Sequence, residues 1–449
     1  MSLEAPYRTV PERRGGMPPG IPFIVGNEAA ERFSFYGMKA ILVVFMTRYL
    51  MDDSGSAAVM GDAEARSWYH LFTSAVYFTP IFGALLADLV FGKYRTILGL
   101  SLVYCLGHLA LALDDSRLGL SIGLGLIAAG SGGIKPCVSA HVGDQFADTN
   151  APLLERAFGF FYFAINLGAF VSMLLTPWLL ENVGPHAAFG VPGLLMLVAT
   201  IVFWAGRWRF VHVPPNRQRF LAELTDPTSL RALGRLAILY AFVAMFWALF
   251  DQTGSSWVLQ AQELDRRFLG VEWLPSQIQA LNPVLILIFI PLFSFGLYPL
   301  LERVFPVTPL RKIGIGLFIT VGAFLVPALI ETWIAAGATP SIGWQLLAYA
   351  ILTAAEVFVS ITCLEFSYTQ APRALKSVVM ALFLMSVSLG NLFTAGVNYA
   401  IQRPDGSLAL AGAAYYLFFA GLMLATAMLF VPVAMRFRTH TYIQEANPI

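Results

Sequence analysis

Four charged side chains lie within one long apolar segment near the N-terminus. The segment NEAAERFSFYGMKAILVVF carries Glu28, Glu31, Arg32 and Lys39. At about 100° per residue, an α-helix would place all four within about 60° of Glu28, on a single face. Carboxylates and cations on one face can take up a proton or bind an anionic group. A buried ion-pair network that only fixes helix packing is the alternative interpretation.

Lysine and histidine side chains occur in two further apolar segments. Lys135 stands in GSGGIKPCVSAHVGDQF, after a run of small residues that lets helices approach closely. We therefore predict that it faces the interior, with Glu28 or Glu31 as its counter-ion. A lysine that reaches the membrane surface is the alternative. His70 is expected near the same carboxylates, where an imidazole suits proton transfer, although a hydrogen-bonded packing role is equally compatible.

The C-terminal half carries carboxylates without cations in its apolar segments. FWALFDQTGSSW contains Trp247 and Asp251, and CLEFSYTQAP contains Glu365. Glu356 precedes Glu365 by nine residues, which places the two on opposite faces of a straight helix. Both cannot face one cavity unless the helix breaks. Cations in one half and carboxylates in the other predict a ligand with one negative and one positive end.

Composition indicates that these segments cross a membrane. The chain has 449 residues, of which 57% are hydrophobic and 12% charged, and its mean hydropathy is +0.69. About twenty apolar residues are needed to cross a bilayer, and lipid allows such spans to be helical. We predict an all-α membrane protein with twelve spans, at residues 21–50, 67–91, 95–113, 118–146, 156–181, 187–207, 234–263, 276–302, 310–333, 342–370, 375–402 and 409–435.

A polar segment over residues 207–235 divides the spans into two groups of six. The predicted parts are an N-terminal tail at 1–20, a six-helix bundle at 21–207, a linker at 208–233, a second bundle at 234–437 and a C-terminal tail at 438–449. This plan is typical of transporters that alternate access to a central site. Most lysines and arginines fall in the segments on the side of the two tails, which predicts that both termini are cytoplasmic.

The remaining composition excludes several other classes of protein. The net charge of +1 argues against a nucleic-acid partner. The N-terminal residues lack the pattern of a removable signal peptide. Three widely spaced cysteines suggest neither a disulfide framework nor a metal site. An enzyme is not expected, because no nucleophile is accompanied by a base or a metal-ligand group.

The loop after the second span carries a charged pattern. Asp88, Gly92, Lys93, Arg95 and Thr96 follow the order D-x-x-x-G-K-x-R-T. It resembles the gating loop of the major facilitator superfamily. A loop that merely carries positive charge on the cytoplasmic side, with a glycine in its turn, is the alternative.

Taken together, the segments resemble the proton-coupled oligopeptide transporter family (POT/PTR2), a branch of the major facilitator superfamily. Its E-x-x-E-R-F-x-Y-Y-G signature corresponds to residues 28–37, and its G-x-G-G-I-K-P…D-Q-F signature to residues 130–146. Its F-Y-x-x-I-N-x-G segment corresponds to residues 161–168. The stretches FWALFDQTGSSW, LYPLLER, LEFSYTQAP and LKSVV are most similar to the animal intestinal and renal peptide transporters.

The resemblance implies roles for individual side chains. Arg32, Lys39 and Lys135 would hold the peptide carboxylate. The peptide amino terminus would be held by Asn166, Asn282 and Glu365. The side-chain pockets would be lined by Tyr36, Tyr77 and Trp247, and protons would be coupled through Glu28, Glu31, His70 and Asp251. Lys39 and Asp251 would pair at the outer gate, and Asp88 and Arg95 would belong to the gating loop.

Three positions depart from the family pattern. Lys39 replaces an arginine, which exchanges a bidentate fork for a point charge. Phe35 lacks a tyrosine hydroxyl, and Ser294 stands where the animal members have an aspartate. The domain that follows the ninth span of the animal members is also missing.

The resemblance implies a proton-coupled symporter that imports di- and tripeptides by alternating access, with peptide-like drugs as further candidate substrates. Protons are the coupling ion and no cofactor is implied. We expect a monomer that contacts the lipid bilayer, in the plasma membrane or, in a bacterium, the inner membrane. A carrier of nitrate, drugs or another small anion with the same fold is one alternative. A peptide sensor that does not transport is the other.

Overall fold

The computed structural model describes residues 7–13, 15–52, 54–215, 227–370, 376–404 and 407–437. These residues are mostly helical, and one two-stranded hairpin pairs β1 with β2. The helices are α1 Ile21–Arg48, α2 Asp62–Phe78, α3 Pro80–Leu86, α4 Lys93–Leu113, α5 Arg117–Gly143, α6 Leu154–Asn182, α7 Pro185–Ala205, α8 Pro227–Phe250, α9 Ser256–Ala261, α10 Leu281–Leu292, α11 Tyr298–Glu302, α12 Pro309–Ala335, α13 Gly343–Glu356, α14 Thr362–Gln370, α15 Lys376–Ala400 and α16 Ala413–Arg436. The strands are β1 Arg267–Phe268 and β2 Val271–Glu272.

The helix lengths confirm a protein that spans the membrane many times. Within the described residues, eleven helical segments are long and apolar enough to cross a bilayer. The first helix, α1, adds 28 residues but also carries the four charged side chains. Most of α1 is buried, so those charges are shielded from lipid by protein rather than exposed to it.

The chain forms two compact units. Unit 1 contains residues 1–60 and 75–220, and unit 2 contains residues 61–74 and 221–449. In unit 1, α1 packs on α6 and α7, and α4 packs on α5 and α7. In unit 2, α12 packs on α13 and α16, and α8 packs on α15. The first part of α2 therefore belongs to unit 2, whereas the predicted boundaries placed all of α2 in the first bundle.

Part of the predicted organisation lies outside the described residues. This applies to residues 216–226 of the linker, to the first six residues of the N-terminal tail and to the C-terminal tail at 438–449.

Small residues in α5 bring Lys135 into the interior of unit 1. A side chain at Gly83 would collide with the backbone of Gly133, because α3 and α5 touch there, and a side chain at Gly133 would collide with the Leu100 side chain on α4. At Gly132, an added methyl would meet the Thr79 hydroxyl, which donates to the Ala128 carbonyl at 2.7 Å. The close contact of α3 with α5 thus depends on the run of glycines that the sequence analysis singled out.

The tail before α1 packs against the segment after α7. The Tyr7 ring stacks on the His212 ring, with centroids 4.1 Å apart, and lies 4.8 Å from the Trp208 ring. The His212 backbone N–H donates to the Arg8 carbonyl at 2.7 Å. Burial and the nearby charge of Arg95 lower the pKa of the His212 imidazole below 6.5, against a backbone hydrogen bond that raises it.

Three π-helical turns interrupt the spans. They lie at Ala87–Phe91, Phe293–Leu297 and Val357–Ile361. Each π turn adds about one residue to the helical repeat, which rotates everything that follows it by roughly a quarter turn. The turn at Val357–Ile361 separates Glu356 from Glu365, so these two carboxylates are not on the opposite faces that a straight helix would give.

Candidate functional site

An arginine joins the two carboxylates of α1 in unit 1. The Arg32 Nε lies 2.9 Å from Glu28 Oε1 and 2.6 Å from Glu31 Oε2. The Ser131 hydroxyl donates to Glu31 Oε1 at 3.2 Å. All three charged side chains are buried, Glu31 to within 1% of full enclosure. The helical face predicted from spacing is therefore an ion-pair cluster in which one cation serves two carboxylates.

Lys135 is held by aromatic rings. Its ammonium lies 4.1 Å from the centroid of the Phe35 ring and 4.2 Å from that of the Tyr77 ring. Within the described part of the chain, the Lys135 Nζ makes no hydrogen bond. The counter-ions predicted for it, Glu28 and Glu31, pair with Arg32 instead. Cation–π contacts therefore stabilise a buried ammonium whose hydrogen-bonding capacity remains available.

Three other predicted site residues of unit 1 lie on α1 and α6. Lys39 is 7% exposed, and Tyr36 is partly buried next to the Phe35 ring. Asn166 lies in α6, where its amide donates to the Tyr162 carbonyl of its own helix at 2.9 Å. Two residues later, Gly168 packs directly on the α1 backbone beside Arg32. This close contact brings the Asn166 turn of α6 next to the charged face of α1.

The gating loop contains an ion pair that the sequence analysis did not predict. The Lys93 ammonium lies 2.7 Å from Asp144 Oδ2 and 2.9 Å from Oδ1. Asp88 precedes Lys93 by one π-helical turn, and Arg95 acts electrostatically on His212. Asp144 is the aspartate in the D-Q-F part of the family signature at residues 130–146, so the signature could have indicated Asp144 as a functional residue.

His70 belongs to unit 2, whereas the carboxylates of α1 near which it was expected belong to unit 1. Its Nδ1 lies 2.7 Å from Asn391 Oδ1, and its Nε2 lies 2.9 Å from Ser255 Oγ. The Asn391 amide donates to Asp251 Oδ2, also at 2.7 Å. The physical reason is that the first turns of α2 pack with α15, which the spacing of apolar residues does not reveal.

Asn282 pairs with Glu356. The Asn282 amide donates to Glu356 Oε2 at 2.7 Å and to the Thr353 hydroxyl at 3.1 Å. The sequence analysis combined Asn282 with Glu365 and gave no role to Glu356. A carboxylate that accepts from a neutral amide keeps its remaining lone pairs for a second donor.

Glu365 lines a separate groove of about 320 Å³. The groove also contains Ser294 and Lys312, and the Lys312 ammonium lies 3.8 Å from the centroid of the Tyr298 ring. The Glu365 side chain is exposed. Its part in holding a peptide amino terminus stays a prediction.

Trp247 lies on α8 in an aromatic group. Its ring makes edge contacts with the Phe246, Phe250 and Phe383 rings at 5.2, 5.3 and 6.4 Å. Lys39 and Asp251 belong to different units, and their pairing as a gate stays a prediction. Among the described residues, no group of three or more histidine, cysteine or acidic side chains could hold a metal ion.

Comparison with known proteins identifies the family. A model of the family described as "PTR2: POT family" matches residues 94–224 and 217–415. The chain belongs to the POT family. It is 37% identical over 365 residues to peptide transporter 3 of Caenorhabditis elegans, covering 70% of this chain and 51% of that protein. It is 38% identical over 400 residues to solute carrier family 15 member 2 of Rattus norvegicus, covering 77% and 53%.

The fold agrees with that of solved POT structures. A crystal structure of an auto-inhibited POT family peptide transporter matches with a TM-score of 0.87 and 37% identity, covering 96% of this chain and 99% of that one. The major facilitator fold predicted from the sequence is therefore confirmed. The POT family consists of transporters and not of enzymes. The chain spans about half the length of the curated relatives that it matches.

Proposed function

We propose that this POT family member is a proton-coupled symporter that imports di- and tripeptides by alternating access. It acts as a monomer in the plasma membrane, or in the inner membrane of a bacterium, with both termini in the cytoplasm and protons as the coupling ion. The observation that carries the proposal is the buried Lys135 ammonium, which the Phe35 and Tyr77 rings hold and which makes no hydrogen bond among the described residues.

The peptide carboxylate is assigned to Lys135 in unit 1. Arg32 pairs with both Glu28 and Glu31, whereas the Lys135 ammonium makes no hydrogen bond among the described residues. A charge-assisted hydrogen bond from a buried ammonium to a carboxylate is stronger than a neutral one. Lys39 on the same helix adds a second positive charge, with the point-charge geometry of an ammonium.

The peptide amino group is assigned to the Asn282–Glu356 pair in unit 2. Glu356 is partly buried and is oriented by the Asn282 amide at 2.7 Å. An ammonium can bind this carboxylate without displacing Asn282, because each carboxylate oxygen has two lone pairs. Glu365 remains the second candidate, as the family resemblance implies.

The side chains of the peptide would contact aromatic rings. Tyr36, Tyr77 and Trp247 are only partly buried and offer apolar surface with few fixed polar groups. Fixed charges at the two peptide ends and tolerant rings between them suit a substrate class in which only the ends are constant.

Transport by purified protein in lipid vesicles tests the proposal. Under an imposed inward proton gradient, vesicles should concentrate radiolabelled dialanine, and a protonophore should abolish this. Unlabelled tripeptides should compete, whereas nitrate should not. Saturable binding of dialanine without any accumulation would indicate a sensor instead, and competition by nitrate alone would indicate an anion carrier.

A further inference from the structure

Polar side chains connect α2 with α15 in unit 2 at three successive levels. The Ser67 hydroxyl donates to the Ala395 carbonyl, His70 contacts Asn391, and the Ser74 and Ser388 hydroxyls lie 3.0 Å apart. The spacing of three to four residues on each helix is that of one face of two antiparallel helices. The middle level differs from the others, because it alone contains an ionisable side chain.

Asn391 connects this middle level to a carboxylate. It is fully buried, and its amide nitrogen lies 2.7 Å from Asp251 Oδ2 and 3.0 Å from the Val387 carbonyl. The preceding residue is Gly390, where a side chain would collide with the Ala244 carbonyl on α8. Close approach of α15 to α8 at this glycine allows the Asn391 side chain to reach Asp251.

The hydrogen bonds of Asn391 decide which nitrogen of His70 carries a proton. Both N–H groups of the amide face acceptors, the Asp251 carboxylate and the Val387 carbonyl. The amide oxygen is therefore the atom that faces His70, so the His70 Nδ1 must be the donor. The Nε2 of a neutral ring then accepts from the Ser255 hydroxyl at 2.9 Å.

Protonation of His70 would change its contact with Ser255. The added Nε2–H requires Ser255 to accept, and the Ser255 hydroxyl can turn to donate toward the Gln252 carbonyl at 3.4 Å. The bond from Nδ1–H to Asn391 persists and becomes charge-assisted. Asn391 therefore stabilises the protonated ring more than the neutral one.

From this geometry we propose that Asn391 is a positioning residue for proton coupling: it fixes the His70 tautomer and links the His70 ring to Asp251. The inference rests on the proposed function and names a side chain that the sequence analysis did not consider. Asp251 is the carboxylate that Asn391 contacts, and Asp251 in turn acts electrostatically on Glu356. Arg66, one turn before His70 on α2, lies over the Tyr415 ring.

Two substitutions should move the pH dependence of uptake in opposite directions. Asn391→Leu removes the acceptor that stabilises the charged ring, so the pH at half-maximal dialanine uptake should fall by about one unit. Asn391→Asp places a carboxylate against the ring, so the same midpoint should rise by about one unit. Initial rates are measured in vesicles over a series of external pH values at constant membrane potential.

Asn398 provides a matched control on the same helix. It is fully buried, two turns after Asn391, and its amide donates to the Thr394 carbonyl and the Tyr415 hydroxyl. Asn398→Leu removes a buried amide of the same size without touching His70. It should lower the yield or the thermal stability of the protein and leave the pH midpoint unchanged.

The outcomes separate this inference from the proposed function. If the unmodified protein does not concentrate dialanine under a proton gradient, the proposed function fails. If the unmodified protein does concentrate dialanine, the two Asn391 variants test the inference. Only the role of Asn391 is overturned if both variants leave the pH midpoint of uptake unchanged or shift it in the same direction. Should Asn391→Leu not fold, Asn391→Asp decides alone, because an unchanged midpoint in that variant contradicts the proposal.

Discussion

Neutralising Glu356 should weaken peptide transport far more than neutralising Glu365. Glu356→Gln keeps the size of the side chain and can still accept from Asn282, but it removes the charge that would bind a peptide ammonium. A hydrogen bond to a charged partner contributes about 1.5–3 kcal/mol. At 1.4 kcal/mol per tenfold, the Michaelis constant for dialanine should rise by about 10- to 150-fold.

Glu365→Gln is the matched comparison, nine residues further along the same span and beyond the π turn. Its carboxylate is exposed in the groove that contains Lys312. Exposed ion pairs contribute about 0–1 kcal/mol, so the Michaelis constant should rise by no more than about fivefold.

N-acetylated dialanine makes the assay specific for the amino group. This substrate lacks the ammonium, so Glu356→Gln should change its inhibition constant by less than about twofold while strongly affecting that of dialanine. Equal losses for the two substrates would refute the assignment of the amino group to Glu356. A large loss in Glu365→Gln with little in Glu356→Gln would restore the assignment that the family resemblance implies.

Three further predictions concern unit 1. Lys135→Gln should weaken dialanine at least about tenfold but leave a peptide amide nearly unaffected in competition uptake, because only the former has a carboxylate; equal effects would contradict the carboxylate assignment. Breaking the Lys93–Asp144 pair with Asp144→Asn should accelerate modification of a cysteine placed in the gating loop, whereas Asp144→Glu should not. Burial lowers the pKa of His212, so packing of the N-terminal tail on His212 through Tyr7 should be complete above pH 6.5 and should weaken as the pH falls below 6.5. A spin label at residue 12 should therefore become more mobile at low pH. A signal that does not depend on pH would contradict this prediction.

The sequence was sufficient to predict where charge is buried but not how it is compensated. The shared face of Glu28, Glu31 and Arg32 follows from helical spacing alone, and the interior position of Lys135 follows from the glycines beside it. The contacts of Lys135 could not be predicted from the sequence, because Arg32 pairs with both carboxylates and the Lys135 ammonium contacts the Phe35 and Tyr77 rings instead. Competition between two cations for the same carboxylates depends on side-chain rotamers, which a linear pattern does not contain.

Two other features depend on helix geometry that composition does not encode. The relation of Glu356 to Glu365 changes because of a π turn, and nothing in the sequence VFVSI distinguishes it from an ordinary helical segment. The environment of His70 depends on which helices the first turns of α2 contact. Apolar periodicity identifies helices and their buried faces, but a face that is buried by protein can belong to either unit.

The two units compensate their buried carboxylates by different means, and the difference has chemical consequences. In unit 1, the Arg32 guanidinium pairs with both Glu28 and Glu31, and aromatic rings hold the Lys135 ammonium. In unit 2, amides hold both Asp251 and Glu356, at 2.7 Å in each case. An amide orients a carboxylate and satisfies part of its hydrogen-bonding capacity without cancelling its charge. Replacing either amide by a cation would fill the same space but remove the negative charge available to a proton or an ammonium, so asparagine at these positions preserves the acidic character that the proposed coupling and substrate binding both require.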